Sequence, residues 1–361
     1  MAVTPAIAGL TPQIWDDKFF TSYVRANQFS KYMGTSENSI IQVKEDLTKK
    51  NGDKVTFALV NDLTGNGVSG STALEGAEEA LGSRSATVSV ALARNGVVVH
   101  EWDEQKSVID LRNAARPQLK SWLLKKDRTD ILAALGSING VAYGSATEAQ
   151  KDAWLDDNYD RILFGKLAGN TDSTGGTVAY DYSDSLAAID NTDDKLTYSV
   201  VSLAKRMCRA ASPSIRPIEV DGKGEWYILF AQRYAFRDLK ASLATIYQNA
   251  EVRGKDNPLF GDGDLMYDGV IIKEIPELGV VSNGTINCAQ NYLCGAQALG
   301  YAWAQRPTTR TETRDYGALN GVAIQQIRGV SKLQFGKGSS DTSDLVDHGV
   351  FTLWTAGVAD A

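Results

Sequence analysis

The stretch from Glu101 to Leu135 constrains the fold of this chain more than any other part of its sequence. Apolar side chains recur along it at steps of three and four residues, which predicts a long helix with one apolar face. These side chains are Val108, Ile109, Leu111, Ala115, Leu119, Trp122, Leu123, Ile131, Leu132 and Leu135. A helix of this length spans about 50 Å, which is more than a small domain needs to cover its own core.

Two residues define the shape and the end of this predicted helix. Pro117 lacks a backbone N–H and crowds the preceding turn, so it predicts a bend or a break. Gly136 follows the last apolar residue, and it predicts termination by a glycine C-cap. We therefore expect one helix, bent or broken once, that ends at Leu135.

The composition is that of an ordinary globular protein. The chain has 361 residues, of which 43% are hydrophobic and 22% are charged, so it can form two or three compact units. Its 37 basic and 44 acidic residues give a net charge of −7, which argues against general affinity for nucleic acid phosphates. No apolar run approaches the ~20 residues of a membrane span. The N-terminus lacks the features of a signal peptide, so we expect an intracellular product that does not enter a membrane.

Cysteine and histidine are scarce. Cys208, Cys288 and Cys294 cannot form an even disulfide framework and have no histidine near them in the sequence, so structural thiols in a reducing compartment are expected. His100 and His348 are the only histidines, and neither accompanies a Gly-x-Ser-x-Gly nucleophile motif. The sequence therefore predicts no catalytic residue, no metal ligand and no cofactor.

The first hundred residues contain two segments that cannot bury their own apolar surface. Residues 1–50 carry six aromatic side chains, Trp15, Phe19, Phe20, Tyr23, Phe29 and Tyr32. These aromatics pack either on the chain's own domain or on a neighbouring subunit, and the sequence leaves both possibilities open. Residues 53–63 and 84–100 alternate apolar and polar side chains, which predicts the two strands of a long hairpin. The glycine-rich segment between them has too few large apolar residues to form a core.

Gly65, Gly67 and Gly70 match the spacing Gly-x-Gly-x-x-Gly after a predicted strand. A dinucleotide site requires a helix that begins at the last glycine, and then a second, parallel strand with an acidic residue near its end. The residues that follow show no apolar stripe, and the next strand does not end in a carboxylate. We therefore expect these glycines to provide backbone freedom in a loop. A soluble nucleotide-binding enzyme remains the alternative of another class.

The rest of the chain mixes helices and strands without βαβ repetition, which is typical of the α+β class. Asp193 and Asp194 precede the helical pattern KLTYSVVSLAKRMCRAA and are predicted to cap it. The acidic run Asp262, Asp264 and Asp268 lacks the carboxylate that an EF-hand needs at its twelfth position. Ordinary aspartate–glycine turns are expected there instead.

The order of these segments is unusual: an aromatic arm, a glycine-tipped hairpin, a long helix and an α+β lobe. Beside that order, the sequence resembles the major capsid proteins of tailed double-stranded-DNA phages, in the podophage-type branch of a fold shared with encapsulins and the herpesvirus capsid floor. The stretches that carry the resemblance are GDKVTFALV, TALEGAEEAL, SVIDLRNAARPQLKSWLLKKDRTDILAALG, WYILFAQRYAFRDLK, GDLMYDGVIIKEIPE, NYLCGAQAL and RDYGALNGVAIQQIRGVSKLQF. Each stretch alone is weak evidence for the resemblance. The order and spacing of the stretches make the resemblance specific.

The resemblance implies a division of the chain into four parts. Residues 1–50 would be an N-terminal arm and residues 51–100 an extended hairpin loop. Residues 101–137 and 313–361 would form a peripheral domain around the long spine helix, and residues 138–312 an axial domain.

The resemblance also implies a function. The subunit would assemble with copies of itself, through hexamers and pentamers, into the icosahedral head of a virion formed in the host cytoplasm. Scaffolding, portal and decoration proteins would be further partners, and packaged double-stranded DNA would make weak, non-specific contacts. An encapsulin-type nanocompartment shell is the alternative on the same fold.

Nine residues are expected to serve this assembly through folding or interface contacts rather than chemistry. They are the arm anchors Phe19, Phe20 and Tyr23, the loop residues Gly65, Gly67 and Gly70, the spine packing residues Trp122 and Leu123, and Pro117, whose bend would set the curvature of a plate-like subunit.

Overall fold

The computed structural model describes residues 29–48, 52–60, 68–69, 83–106, 111–166, 180–219, 224–242, 265–336 and 343–360. Within these ranges the helices are α1 (Glu101–Lys106), α2 (Leu111–Leu135), α3 (Glu148–Asp157), α4 (Tyr182–Ala187), α5 (Tyr198–Ala210) and α6 (Arg233–Ser242). The strands are β1 (Met33–Gly34), β2 (Ile41–Lys44), β3 (Lys54–Val60), β4 (Ser83–Ser89), β5 (Ala91–His100), β6 (Ile162–Phe164), β7 (Ile218–Glu219), β8 (Glu225–Ala231), β9 (Leu265–Tyr267), β10 (Val270–Glu274), β11 (Val280–Ser282), β12 (Asn287–Cys294), β13 (Leu299–Arg314), β14 (Leu319–Lys332), β15 (Gln334–Gly336), β16 (Leu345–Asp347) and β17 (Val350–Ala356). The architecture is α+β, as the sequence predicts.

The structure has two halves, each built around a large sheet. The sheet of one half has five strands, in the order β1-β2-β13-β14-β5. β13 and β14 make a long antiparallel hairpin, and β5 pairs antiparallel with the outer edge of β14. Helix α2 packs on one face of this sheet, where Val322 and Ile324 of β14 join Leu119 and Leu123 in the core. The sheet side chains alternate between this face and the opposite one, as a pleated strand requires.

The long helix follows the predicted pattern over α2. Every fourth residue from Ala115 to Leu135 is buried, which places one stripe of side chains against the sheet. The helix continues through Pro117, so the chain is not broken there. The Pro117 side chain is exposed. Residues 107–110, which separate α1 from α2, lie outside the described residues.

The helix ends at Leu135 as predicted, but Gly136 acts differently from a left-handed C-cap. Its φ lies outside the left-handed region, and its N–H donates to the Leu132 carbonyl at 3.1 Å. A Cβ on Gly136 would lie 2.7 Å from the Tyr292 hydroxyl oxygen. Glycine is needed here because the helix end lies close to the second sheet.

An eight-stranded sheet forms the other half, in the order β6-β17-β12-β8-β10-β9, with β11 beside β12 and β7 beside β8. Helices α5 and α6 pack on it through Val200, Ala204 and Phe236. The turn between β9 and β10 is Asp268–Gly269, with φ of 46° and 73°, which is the left-handed pair that a two-residue hairpin favours. This confirms an ordinary turn at Asp268, whereas Asp262 and Asp264 lie outside the described residues.

The predicted capping of α5 by Asp193 and Asp194 is wrong. The helix begins at Tyr198 after Thr197, and no side chain caps it. Asp194 instead accepts hydrogen bonds from the backbone N–H groups of Lys166 and Asp190, both at 3.0 Å. The Asp194 carboxylate therefore stabilises the loop before the helix and does not cap the helix N-terminus.

The predicted boundary between the axial and peripheral domains, at residues 312 and 313, does not coincide with the division of the strands into sheets. That boundary falls inside β13, whose hairpin partner β14 lies in the same sheet. β17 pairs with β12 and β6, so it belongs to the eight-stranded sheet. One core cluster joins Leu123 of α2 with Phe230 and Tyr292 of the eight-stranded sheet. The two halves therefore share a continuous core.

Candidate functional site

The hairpin of β3 and β4 lies on the face of the five-stranded sheet opposite α2. Its buried side chains Phe57 and Val88 pack with Ala302 of β13. A Cβ on Gly329 would lie 2.0 Å from the Ser89 carbonyl oxygen. A small residue on β14 is therefore what lets the hairpin leave the sheet at this point.

The antiparallel pairing of β3 and β4 decides the nucleotide-site alternative. Lys54 pairs with Ser89 and Val60 with Ser83, so the second strand returns along the first. A dinucleotide-binding unit needs two parallel strands joined by a helix. The fold therefore contradicts that alternative, although Gly65, Gly67 and Gly70 themselves lie outside the described residues.

A buried charge network fastens α2 to β14. Arg328 Nε lies 3.3 Å from Asp127 Oδ1, and Arg328 Nη2 donates to Asp130 at 2.8 Å. The Tyr301 hydroxyl donates to Asp127 at 2.7 Å. Asp127 occupies a buried position of the helix stripe, so a charged residue replaces an apolar one where the helix meets the hairpin.

A second buried pair joins the end of β14 to the other half of the molecule. Lys332 Nζ donates to Asp347 at 2.8 Å and to the Ser137 carbonyl at 2.9 Å. The Trp154 indole and the Gln334 amide also donate to Asp347. These contacts link β14, β16, α3 and the turn after α2, and they fix the two halves relative to one another.

Three acidic side chains of the described residues lie close enough together to be considered as a metal site. The carboxylates of Glu148, Asp152 and Asp181 lie within 4.8 Å of one another. Lys151 donates to Glu148, the Tyr182 N–H to Asp152, and the Asp184 N–H to Asp181. Hydrogen bonds within the chain therefore account for this acidic group.

The three cysteines are free and buried. Burial raises the pKa of the Cys288 thiol to about 11 and that of Cys294 to about 12, and it also raises the pKa of Cys208. Neutral, enclosed thiols fit the prediction of structural cysteines. None of the helices in the described part of the chain has the length and hydropathy that a membrane crossing requires.

Of the nine predicted assembly residues, Pro117 lies within α2, and the other eight fall into two groups. Phe19, Phe20 and Tyr23 lie outside the described residues, as do the three loop glycines. Leu123 is fully buried in the core between α2 and the two sheets, and Trp122 is partly buried against the same core.

Two aromatics of the predicted arm pack on the chain itself. The rings of Phe29 and Tyr32 lie 5.4 and 5.5 Å from the Phe230 ring of β8. The end of the predicted arm therefore belongs to the folded body, since β1 and β2 follow at once in the five-stranded sheet.

Sequence reasoning missed the buried charges and one exposed aromatic. Asp127 was detectable, because it lies at a four-residue step between Leu123 and Ile131. Tyr316 projects fully from the tip between β13 and β14, with φ of 51°. No local pattern in the sequence marks Tyr316 as a tip residue.

Comparison with known proteins identifies the family. The family described as phage capsid protein matches residues 4–359. The major capsid protein of Pseudomonas phage KPP25 is 28% identical over 362 residues, which cover 95% of this chain and 94% of that protein. The cyanophage Pam1 capsid asymmetric unit matches with a TM-score of 0.80 and 32% identity over 100% of both chains. The capsid of Ralstonia phage GP4 matches with a TM-score of 0.72 and 23% identity, over 93% of this chain and 92% of that one. The chain therefore belongs to the phage capsid protein family, whose members are structural proteins and not enzymes.

Proposed function

We propose that this chain is the major capsid protein of a tailed phage and that its copies close the icosahedral head through hexamers and pentamers. The observation that carries this proposal is the likeness to the cyanophage Pam1 capsid subunit over the full length of both chains. The encapsulin-type alternative has no such support from the relatives named above. Membership of the podophage-type branch stays a prediction.

The sheets support a revised assignment of residues to the peripheral and axial domains of the subunit. Helix α2 and the five-stranded sheet form the peripheral domain on this proposal, and the eight-stranded sheet with α3 to α6 forms the axial domain. Residues 299–332 belong together in the first, because β13 and β14 are one hairpin. Residues 350–356 belong to the second, because β17 pairs inside its sheet.

We assign the contacts between subunits to two segments, the β3–β4 hairpin and the N-terminal arm. The β3–β4 hairpin packs on its own chain through the buried side chains Val55, Phe57 and Val88, and Leu59 and Ala86 are partly buried against the same cluster. Val60, at the far end of β3, is more than half exposed. We expect this hairpin and the arm with Phe19 to lie across neighbouring copies, since identical subunits in a shell share many such contacts.

The charge of the chain suits a container for DNA. A net charge of −7 disfavours strong phosphate binding, so packaged DNA would be touched weakly and released readily. Scaffolding, portal and decoration proteins remain predicted partners.

Sedimentation and electron microscopy of the purified protein test the proposal directly. We expect closed particles of megadalton mass, or capsomers that form them when scaffold is supplied. A small discrete oligomer that never assembles, even with scaffold, would overturn the proposal. The contents of particles from infected cells separate the two shell functions. DNA inside them would indicate a phage head, and a cargo enzyme would indicate a nanocompartment.

A further inference from the structure

Exposed apolar side chains concentrate at one end of the β13–β14–β5 ribbon. Ten large hydrophobic side chains of the described residues are more than a third exposed. Five of them lie on β5, on α1 or at the hairpin tip, namely Leu92, Val97, Val98, Trp102 and Tyr316. We call residues 97–104 together with 310–318 the ribbon end. It holds all of these except Leu92.

Backbone hydrogen bonding holds the two segments of the ribbon end together. Val98 of β5 pairs with Gly321 of β14, and the Glu101 N–H donates to the Ala318 carbonyl at 2.8 Å. The start of α1, with Trp102, is therefore fixed beside the hairpin tip. β5 is the last strand of its sheet in the described part of the chain, so its outer edge can also take part in contacts.

The tip residue Tyr316 combines a left-handed backbone with an exposed aromatic ring. Its φ is 51° and the residue is fully exposed. Left-handed backbone is unfavourable for a bulky residue and is usual for glycine or asparagine. The backbone belongs to the hairpin turn, since the preceding Asp315 also has a φ of 51°. The large ring left exposed at this tip points to a contact outside the chain.

The charges of the ribbon end indicate what kind of partner fits. The exposed acidic residues are Glu101 and Asp103 on α1 and Glu312 and Asp315 at the hairpin tip, whereas the exposed basic residues are Arg310 and Arg314. Arg314 is paired with Glu312 at 2.6 Å. A nucleic acid or an anionic membrane would select a surface of one sign. The acidic excess of the ribbon end disfavours both of these partners, whereas a second copy offers acidic residues to its arginines and arginines to its acidic residues.

We propose that the ribbon end binds a second copy of this chain, with Tyr316 as its aromatic anchor. Aromatic side chains at the centre of an interface commonly contribute most of its binding energy. This inference rests on the proposed function, because assembly into a shell supplies the second copy.

Two substitutions at the tip test the anchor. Tyr316→Asn removes the ring and suits the left-handed backbone, so we expect an unchanged or raised melting temperature of the unassembled subunit. We expect the protein concentration for half-maximal assembly to rise at least tenfold. Tyr316→Phe keeps the ring and should assemble within twofold of the wild type.

The outcomes separate this inference from the proposed function. If the wild type never assembles, the proposed function fails. If the wild type and Tyr316→Asn assemble equally well, the function stands and the anchor is refuted.

Thiol labelling provides a second measurement that does not depend on the tip variants. The native cysteines are buried, so Val98→Cys introduces the one accessible thiol of the subunit. We expect a maleimide to label it at least tenfold more slowly in assembled particles than in free subunits. Equal rates in the two forms would contradict burial of the ribbon end.

Discussion

Arg328 on β14 points its guanidinium at Asp127 on α2, with Nε 3.3 Å from the carboxylate and both side chains almost completely buried. Asp127 also accepts the Tyr301 hydroxyl hydrogen bond. The contact fixes both the rotation of the helix and its position along the hairpin. Replacing one partner would leave the other charge enclosed and undercompensated.

Asp127→Ala should therefore lower the free energy of unfolding by about 3 kcal/mol, because Arg328 loses an ion-pair partner and the Tyr301 hydroxyl loses its acceptor. Urea unfolding of the unassembled subunit, followed by tryptophan fluorescence, measures the change. Lys126→Ala on the same helix is the matched control. Its pair with Asp130 is exposed, so a loss below about 0.5 kcal/mol is expected.

The Lys332–Asp347 pair leads to a prediction about a double variant. Both side chains are almost fully buried, so Lys332→Met should destabilise the subunit by about 4 kcal/mol by leaving an enclosed carboxylate. Adding Asp347→Asn removes that charge and should restore at least about 1 kcal/mol. Urea unfolding of both variants compares them. A double variant less stable than Lys332→Met would show that the Asp347 charge is compensated by its other donors.

Gln326 predicts a stabilising substitution. It is fully buried on β14, and neither its amide nitrogen nor its amide oxygen has a hydrogen-bond partner. Gln326→Met keeps the length of the side chain and removes two unpaired polar atoms, so a gain of about 1 to 2 kcal/mol is expected. Gln325→Met, on the opposite face of the same strand, should change stability by less than about 0.5 kcal/mol. No gain at Gln326 would mean that the amide is satisfied in solution.

Gly329 tests how the hairpin is attached. A Cβ there would lie 2.0 Å from the Ser89 carbonyl oxygen, and this backbone atom cannot move alone. Gly329→Ala should therefore shift the hairpin and lower the free energy of unfolding by at least about 2 kcal/mol. Gly144→Ala is the control, because a Cβ there meets nothing within 4 Å. Equal stability of the two variants would mean that the hairpin adjusts freely.

Local periodicity predicted a large part of the fold. The helix end at Leu135 and the alternating strands around Phe57 follow from side chains whose spacing matches one period. The order of strands in the sheets did not follow. β2 pairs with β13 through contacts such as Ile41 with Leu299, and periodicity carries no information about such distant partners.

The buried ion pairs could not be predicted from local sequence patterns either. Asp130 and Arg328 are 198 residues apart in the chain, so neither residue's surroundings indicate the other. Tyr316 is a further case, because its exposure depends on its place at the tip of the long β13–β14 hairpin. Family resemblance, rather than any chemical motif, was what connected these elements to a function.

His348 predicts a pH dependence of stability. Burial, together with the charges of Arg161 and Arg216, lowers the pKa of its imidazole to about 4, whereas an unfolded histidine titrates near 6.5. The folded state therefore keeps the ring neutral while the unfolded state takes up a proton. Stability should be fully present above about pH 6.5 and should be lost as the pH falls towards 4, by up to about 3 kcal/mol.

The measurement is urea unfolding of the wild type and of His348→Asn at pH 7, 5.5 and 4.5. Carboxylates titrate in both proteins, so the difference between them reports the histidine. We expect the wild type to lose stability relative to His348→Asn as the pH falls, because only the wild type gains a proton at this position on unfolding. A difference that stays constant across the range would show that the folded imidazole takes up its proton as readily as the unfolded one.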